Sequence, residues 1–265
     1  MQAITRHAKI MLCYFKFNLA SALEYRASFF TQAFGMALSN SSFIFFWWIA
    51  FRQLGGDIAG YSFHDILFIW SVTSSAYGIS HVLFENAGNI SQLIITGELD
   101  TFLLQPCNIL VNVLCAKTSL SAYGDLAYGF ILMALSHGAD LSVWGWFILG
   151  VLIGGLLITA ISLTAHSLTF YIGNATVLGQ MTTEFVINFS IYPDKIYGSV
   201  VRALMYTLVP AGLIVHVPLR LAREFSPVTL ALLIGATSVY CLFAGWFFHR
   251  GLYKYESGNV IVTRL

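Results

Sequence analysis

From Ser142 to Tyr171 the chain runs without one Asp, Glu, Lys or Arg. About 20 apolar residues, rising 1.5 Å each, cross the hydrocarbon core of a bilayer. This segment is therefore long enough to span a membrane with tilt, or to protrude from it. Further apolar runs, some carrying isolated charges, fall at 28–50, 62–83, 116–135, 177–192 and 227–248. The composition agrees: 58% of the 265 residues are hydrophobic, 9% are charged, and the mean hydropathy is +0.77. Soluble domains carry about 25% charged residues, enough to cover their surface. The sequence thus excludes an ordinary cytosolic enzyme, a disordered chain and a nucleic-acid-binding domain. It predicts an all-α integral membrane protein with six transmembrane helices, forming a single domain over 1–265.

The first 27 residues do not read as a signal peptide, because Arg6, Lys9, Lys16, Glu24 and Arg26 interrupt them. Ile4, Ala8, Met11, Phe15, Leu19 and Leu23 recur at helical spacing and predict an amphipathic helix lying in the membrane interface. Basic residues cluster at the N-terminal segment and at Arg250, Lys254 and Arg264 of the tail, whereas the first two outer loops carry only Arg52. With an even number of spans, both termini are then cytoplasmic. Lys195, Arg202, Arg220 and Arg223 strain that topology, because it places them outside. They lie in 193–226, a segment too polar for a clean span and too apolar for a free loop. Pro193, Pro210, Pro218 and Pro227, out of five prolines in the chain, punctuate it. Each ends or kinks a helix. Two short re-entrant helices dipping into the outer leaflet fit this pattern better than one kinked span.

Motifs of soluble catalysis do not occur. There is no GxxxxGK[ST], HExxH, GxSxG or GxGxxG, and the four cysteines have neither CxxC nor zinc-finger spacing. No catalytic residue, metal site or cofactor is expected in this chain. Charges inside spans are costly and invite a functional reading. Asp125 lies about 13 Å along the helix from Ala116, by the helical rise. Glu184 lies midway along the short fifth span. Both form either a polar patch on a substrate path or helix–helix hydrogen bonds. His64 and Asp65 at the outer end of the second span read as interfacial. His81 and Glu85, one helical turn apart, read as a helix-end pair. Gly150, Gly154 and Gly155 read as close packing points on the fourth span.

The stretch 85–106, ENAGNISQLIITGELDTFLLQP, is dense in apolar residues for a cytoplasmic loop. Leu93, Ile94, Leu99, Phe102, Leu103 and Leu104 predict a helix with an apolar docking surface. Gly97, Glu98, Leu99 and Asp100, followed by Leu103, Leu104 and Pro106, resemble the G-x-L-D-x-x-L-x-x-P signature of a subgroup of permease (transmembrane) subunits of ABC type-2 transporters. The tail from Arg250 to Gly258 resembles that family's closing G-L-x-x-Y-x-S-A/G. Tyr192-Pro193, Ile196-Tyr197 and Pro210 resemble its outer region. Gln105-Pro106-Cys107-Asn108 departs from the pattern, since family members often carry a basic residue beside the proline.

The resemblance implies a bacterial plasma (inner) membrane location and an ATP-driven exporter. Gly97, Glu98, Leu99, Asp100, Leu103, Leu104 and Pro106 would couple it to a separate ATPase. Its partners would be two P-loop ATPase subunits, holding ATP and Mg, a second identical or sister permease, and membrane lipid. Neighbouring residues favour an amphipathic or lipid-like substrate. The alternative is a proton-coupled secondary transporter using Asp125 and Glu184, although no inverted repeat relates the two halves.

Overall fold

A computed structural model describes residues 2–256. The side chains of Ile4 and Arg6, and the tail residues Ser257, Gly258 and Arg264, lie outside the described residues. The chain begins with α1 (Gln2–Glu24), α2 (Arg26–Leu54) and α3 (Phe63–Phe84). A single-turn 3-10 helix (Glu85–Asn89) leads to three short helices, α4 (Ile90–Thr96), α5 (Leu99–Leu103) and α6 (Ile109–Cys115). Next come α7 (Leu120–His137), α8 (Leu141–Ser167), α9 (Thr169–Ile172) and α10 (Thr176–Ser190). After a 3-10 turn at Asp194–Ile196 follow α11 (Ser199–Tyr206), a wide π-type turn (Gly212–His216), α12 (Val217–Arg223) and α13 (Pro227–Leu252). No strand occurs among the described residues.

Four helical stretches are long and apolar enough to cross a membrane: Arg26–Leu54, Phe63–Thr96, Leu141–Ile172 and Pro227–Leu252. The expected third and fifth spans coincide with α7, of 18 residues, and α10, of 15 residues, which are not among those four. α10 is held short by Gly173, whose φ of 87° closes α9, and by Pro193 beyond its end. At 1.5 Å per residue it reaches only about 22 Å.

The centre of the bundle is α3, which is buried along most of its length and packs on α7 and α8. Lipid tails are as apolar as leucine, so helices in a bilayer associate through close packing and hydrogen bonds. The α3–α7 seam uses both. A Cβ at Gly129 would lie 2.5 Å from the Ser71 carbonyl oxygen, so only glycine lets the backbones approach this far. Ser74 donates to the Asp125 carbonyl at 2.7 Å. Gly150, Gly154 and Gly155 of α8 face Val72, Ala76 and Ile79 of α3, as close packing points should.

Three expectations change. The helix expected from Ala116 starts at Leu120, and α6 precedes it. The intervening backbone is clamped to the end of α3: Ser119 N–H donates to the His81 carbonyl at 3.1 Å and the Thr118 hydroxyl to the Val82 carbonyl at 3.0 Å. Secondly, α1 has a protein-docking face that the apolar stripe expected to meet the membrane does not mark. Ala8 and Leu23 are exposed, whereas Asn18 is buried and donates to the Cys115 carbonyl at 3.0 Å. Tyr14, one turn earlier, donates to the Asn112 side chain. Polar partners on α6, invisible in an apolar period, choose the docking face.

Thirdly, Leu93, Ile94 and Leu99 are not part of an exposed docking surface. They are 7%, 2% and 0% exposed and form a second core with Ala160 and Leu163 of α8, Phe170 of α9 and Phe248 of α13. In 193–226 the chain forms separate short helices rather than one kinked span, with Pro218 and Pro227 in the first turns of α12 and α13. At Pro227, where the helix begins, the missing N–H breaks no hydrogen bond; Pro218 instead follows directly on the π-type turn Gly212–His216.

Candidate functional site

Side chains of α2, α3, α7 and α10 line a half-open cavity of about 330 Å³. Asp125 and Glu184, far apart in sequence, both line it, with Asn40, Trp70, Thr73 and Tyr77 among the other walls. No Lys or Arg lines it. Asp125 is 4% exposed. Its Oδ1 accepts from Asn40 Nδ2 at 2.7 Å. Its Oδ2 has no hydrogen-bond partner among the described residues, nor do Trp70 Nε1 and Thr73 Oγ1 in the same walls. Buried polar atoms are almost always partnered, so unmet atoms gathered in one cavity are unusual.

Glu184 sits differently. It lies on the outward face of α10, with Gln180 and Asn188 one turn to either side, and all three are exposed. Spacing by four residues puts them in one stripe along the helix. Val177, Met181 and Phe185 form an apolar stripe beside it, 65%, 50% and 50% exposed.

The sequence motifs converge around α4 and α5, beyond the end of α3. Gly97 takes a φ of 77°, the left-handed conformation glycine adopts without strain, and thereby turns α4 into α5. Leu99 is then buried, and the two exposed leucines of the stretch are Leu103 at 48% and Leu104 at 86%. Glu98 and Pro106 are exposed beside them. The tail residue Tyr255 packs against this core, its ring 6.1 Å from that of Phe170. Burial first, and then the Asp100 carboxylate, raise the pKa of its hydroxyl. The loop motif and the closing motif are therefore neighbours in space.

Two polar clusters escaped sequence reasoning. Asp194, 2% exposed, accepts from Tyr61 at 2.5 Å, from Tyr206 at 2.6 Å and from Arg220 at 2.9 Å. Arg223 pairs with Asp65 at 2.5 Å, and Asp65 also closes a capping box with Ser62 at the start of α3. Burial pushes the Asp194 carboxyl up, but the hydrogen bonds from Tyr206 and Tyr61 and the charges of His216 and Arg220 outweigh it. They hold its pKa down at about 2. Two of the arginines that strained the topology are thus neutralised by carboxylates. The second cluster, Ser91, His166 and Thr169, is buried where α4, α8 and α9 meet. The only sequence signal for either was a polar residue in an apolar setting.

His81 bonds its own helix through the Tyr77 carbonyl, 3.0 Å from Nδ1. His64 makes an edge-to-face contact with His137, ring centroids 6.0 Å apart. No group of three or more metal-ligating side chains occurs among the described residues.

Residues 38–258 match the family described as ABC-2 family transporter protein. The match covers most of the chain, beginning within α2, and the chain belongs to that family: it is a multi-pass membrane protein and a permease subunit of an ABC transporter. Permeases of this family act with an ABC ATPase and have no catalytic activity of their own. No curated protein and no solved structure matches the chain.

Proposed function

We propose that this chain is the membrane subunit of an ATP-driven exporter that moves an amphipathic or lipid-like substrate outward, with α2, α3, α7, α8, α10 and α13 as six spans. The observation that carries the reading is the polar stripe Gln180, Glu184 and Asn188 on the outward face of α10, beside the Asp125 cavity. A carboxylate facing lipid at mid-helix costs several kcal/mol. A second permease, identical or sister, therefore covers this face and closes a polar route between the two copies. The apolar and aromatic walls Phe43, Trp70 and Ile187 suit the apolar part of the substrate. The segment 193–226 is the re-entrant outer element, α1 lies in the cytoplasmic interface, and both termini are cytoplasmic.

At the cytoplasmic end, Leu103, Leu104, Glu98 and Pro106 form the contact with the ATPase, while Gly97, Leu99 and Asp100 shape the loop from within. ATP binding would close two ATPase subunits and push this loop as a rigid body. The alternative, a proton-coupled transporter using Asp125 and Glu184, draws on the same cavity, and ATP dependence separates the two. The test is purification from native membranes through a tag on this chain. A P-loop ATPase is expected to co-purify and to be lost from Leu104→Asp, a surface change costing about 0.5 kcal/mol of stability or less. A lone chain that transports in proteoliposomes without ATP would overturn the reading.

A further inference from the structure

Ser91 lies on α4, inside the loop assigned above to the ATPase, and its surroundings reach far beyond that loop. Its Oγ is 2.9 Å from His166 Nδ1 and donates to the His166 carbonyl at 3.1 Å. The Thr169 hydroxyl donates to Ser91 Oγ at 2.8 Å. Thr169 Oγ1 in turn accepts from the Ala175 N–H at 3.1 Å, immediately before α10 begins. The three side chains are 0%, 1% and 3% exposed, so no water competes for these bonds. One turn into α10, Gly179 rests on the His166 ring so closely that a Cβ there would lie 2.5 Å from it. A displacement of α4 therefore cannot be absorbed at this point. It must move the ring and the backbone that supports the start of α10. α10 continues unbroken from there, and Glu184 lies about 12 Å along it from Thr176 by the helical rise.

We infer that Ser91, His166 and Thr169 are positioning residues that transmit motion of the cytoplasmic loop to α10, and so to the polar stripe at the translocation route. Packed cores respond to small shifts by switching as units, which is what such a junction needs. The inference rests on the proposed ATPase contact at Leu103 and Leu104, and its test separates the two. Spin labels are placed in turn at Leu104→Cys and Met181→Cys of the assembled permease–ATPase complex, with the native cysteines replaced. Spectra are recorded with and without ATP and vanadate. In the otherwise unsubstituted complex both labels are expected to respond. Thr169→Val keeps the side-chain shape and removes the hydroxyl. It is expected to abolish the response at Met181 while leaving that at Leu104, and Thr169→Ser is expected to restore it. A purely structural role would lower thermal stability without separating the two labels. Full response at both labels in Thr169→Val would overturn the inference. No response at Leu104 in the unsubstituted complex would sink the ATPase contact, and this inference with it.

Discussion

Asp194 and Asp125 are buried to nearly the same degree, 2% and 4% exposed, yet their surroundings are opposite. Asp194, in the 193–226 segment, has two tyrosine hydroxyls and a guanidinium on its carboxylate. Asp125 in the bundle has one amide donor and one oxygen with no partner among the described residues. A buried charge whose hydrogen bonds are complete fixes geometry. Here it ties the 193–226 segment to Tyr61 and, through Arg223 and Asp65, to the start of α3. A buried charge left incomplete is a standing cost, and a fold retains it where the group has another use. The Asp194 cluster acts as a structural lock, and on the proposed function the Asp125 cavity is the one placed on the route.

The contrast can be broken by mutation. Asp194→Ala leaves Tyr61, Tyr206 and Arg220 without their shared acceptor and is expected to cost about 3 kcal/mol, read as a lower melting temperature in detergent. A change within experimental error would remove the lock from the account. Acid provides a graded version of the same test. The Asp194 carboxyl is held at about 2, below the usual aspartate value of about 3.9. Its contribution to stability is complete above pH 4 and is lost as pH falls through 2. Melting temperature should therefore drop between pH 4 and pH 2, and Asp194→Asn should flatten that drop. The smallest stability effect belongs to Asp125→Asn. The new amide still accepts from Asn40 and carries no charge, so the change should stay under about 1 kcal/mol in either direction. Transport should fall all the same. Loss of folding in Asp125→Asn would place Asp125 among the structural carboxylates and erase the comparison.

Much of this architecture was legible in the sequence, because a bilayer demands long apolar helices and punishes exceptions. The helices near 28–50, 62–83, 142–171 and 227–248, the breaks at Gly173 and Pro193, and the glycine packing points on α8 all follow from local rules. Asp125 and Glu184 stood out singly, since charge in an apolar run is conspicuous. That they share a cavity depends on the packing of α7 and α10 around α3, which no local pattern encodes. Leu99 shows the same limit. Its motif marked it for docking, but its burial is decided by Phe170 and Phe248, far along the chain. Leu103 and Leu104, four and five residues on, are the side chains that remain outside. The Asp194 lock was hidden because its first donor, Tyr61, lies 133 residues away. The turn of α1 towards α6 was hidden because Asn18 and Tyr14 are ordinary polar residues until their partners are placed.

On the proposed function, the outward face of α10 lines a polar route while other exposed faces meet lipid. Thiol accessibility in membrane vesicles tests it most directly. Asn188→Cys on α10 and Phe243→Cys on the exposed face of α13 are made in a chain whose native cysteines are replaced. Each is challenged with a charged, membrane-impermeant maleimide, with and without ATP and vanadate. Asn188→Cys should react, at a rate that changes when nucleotide is trapped, and Phe243→Cys should stay unlabelled in both states. Equal protection of both positions in every state would mean that α10, like α13, faces lipid there, and the route would have to lie elsewhere.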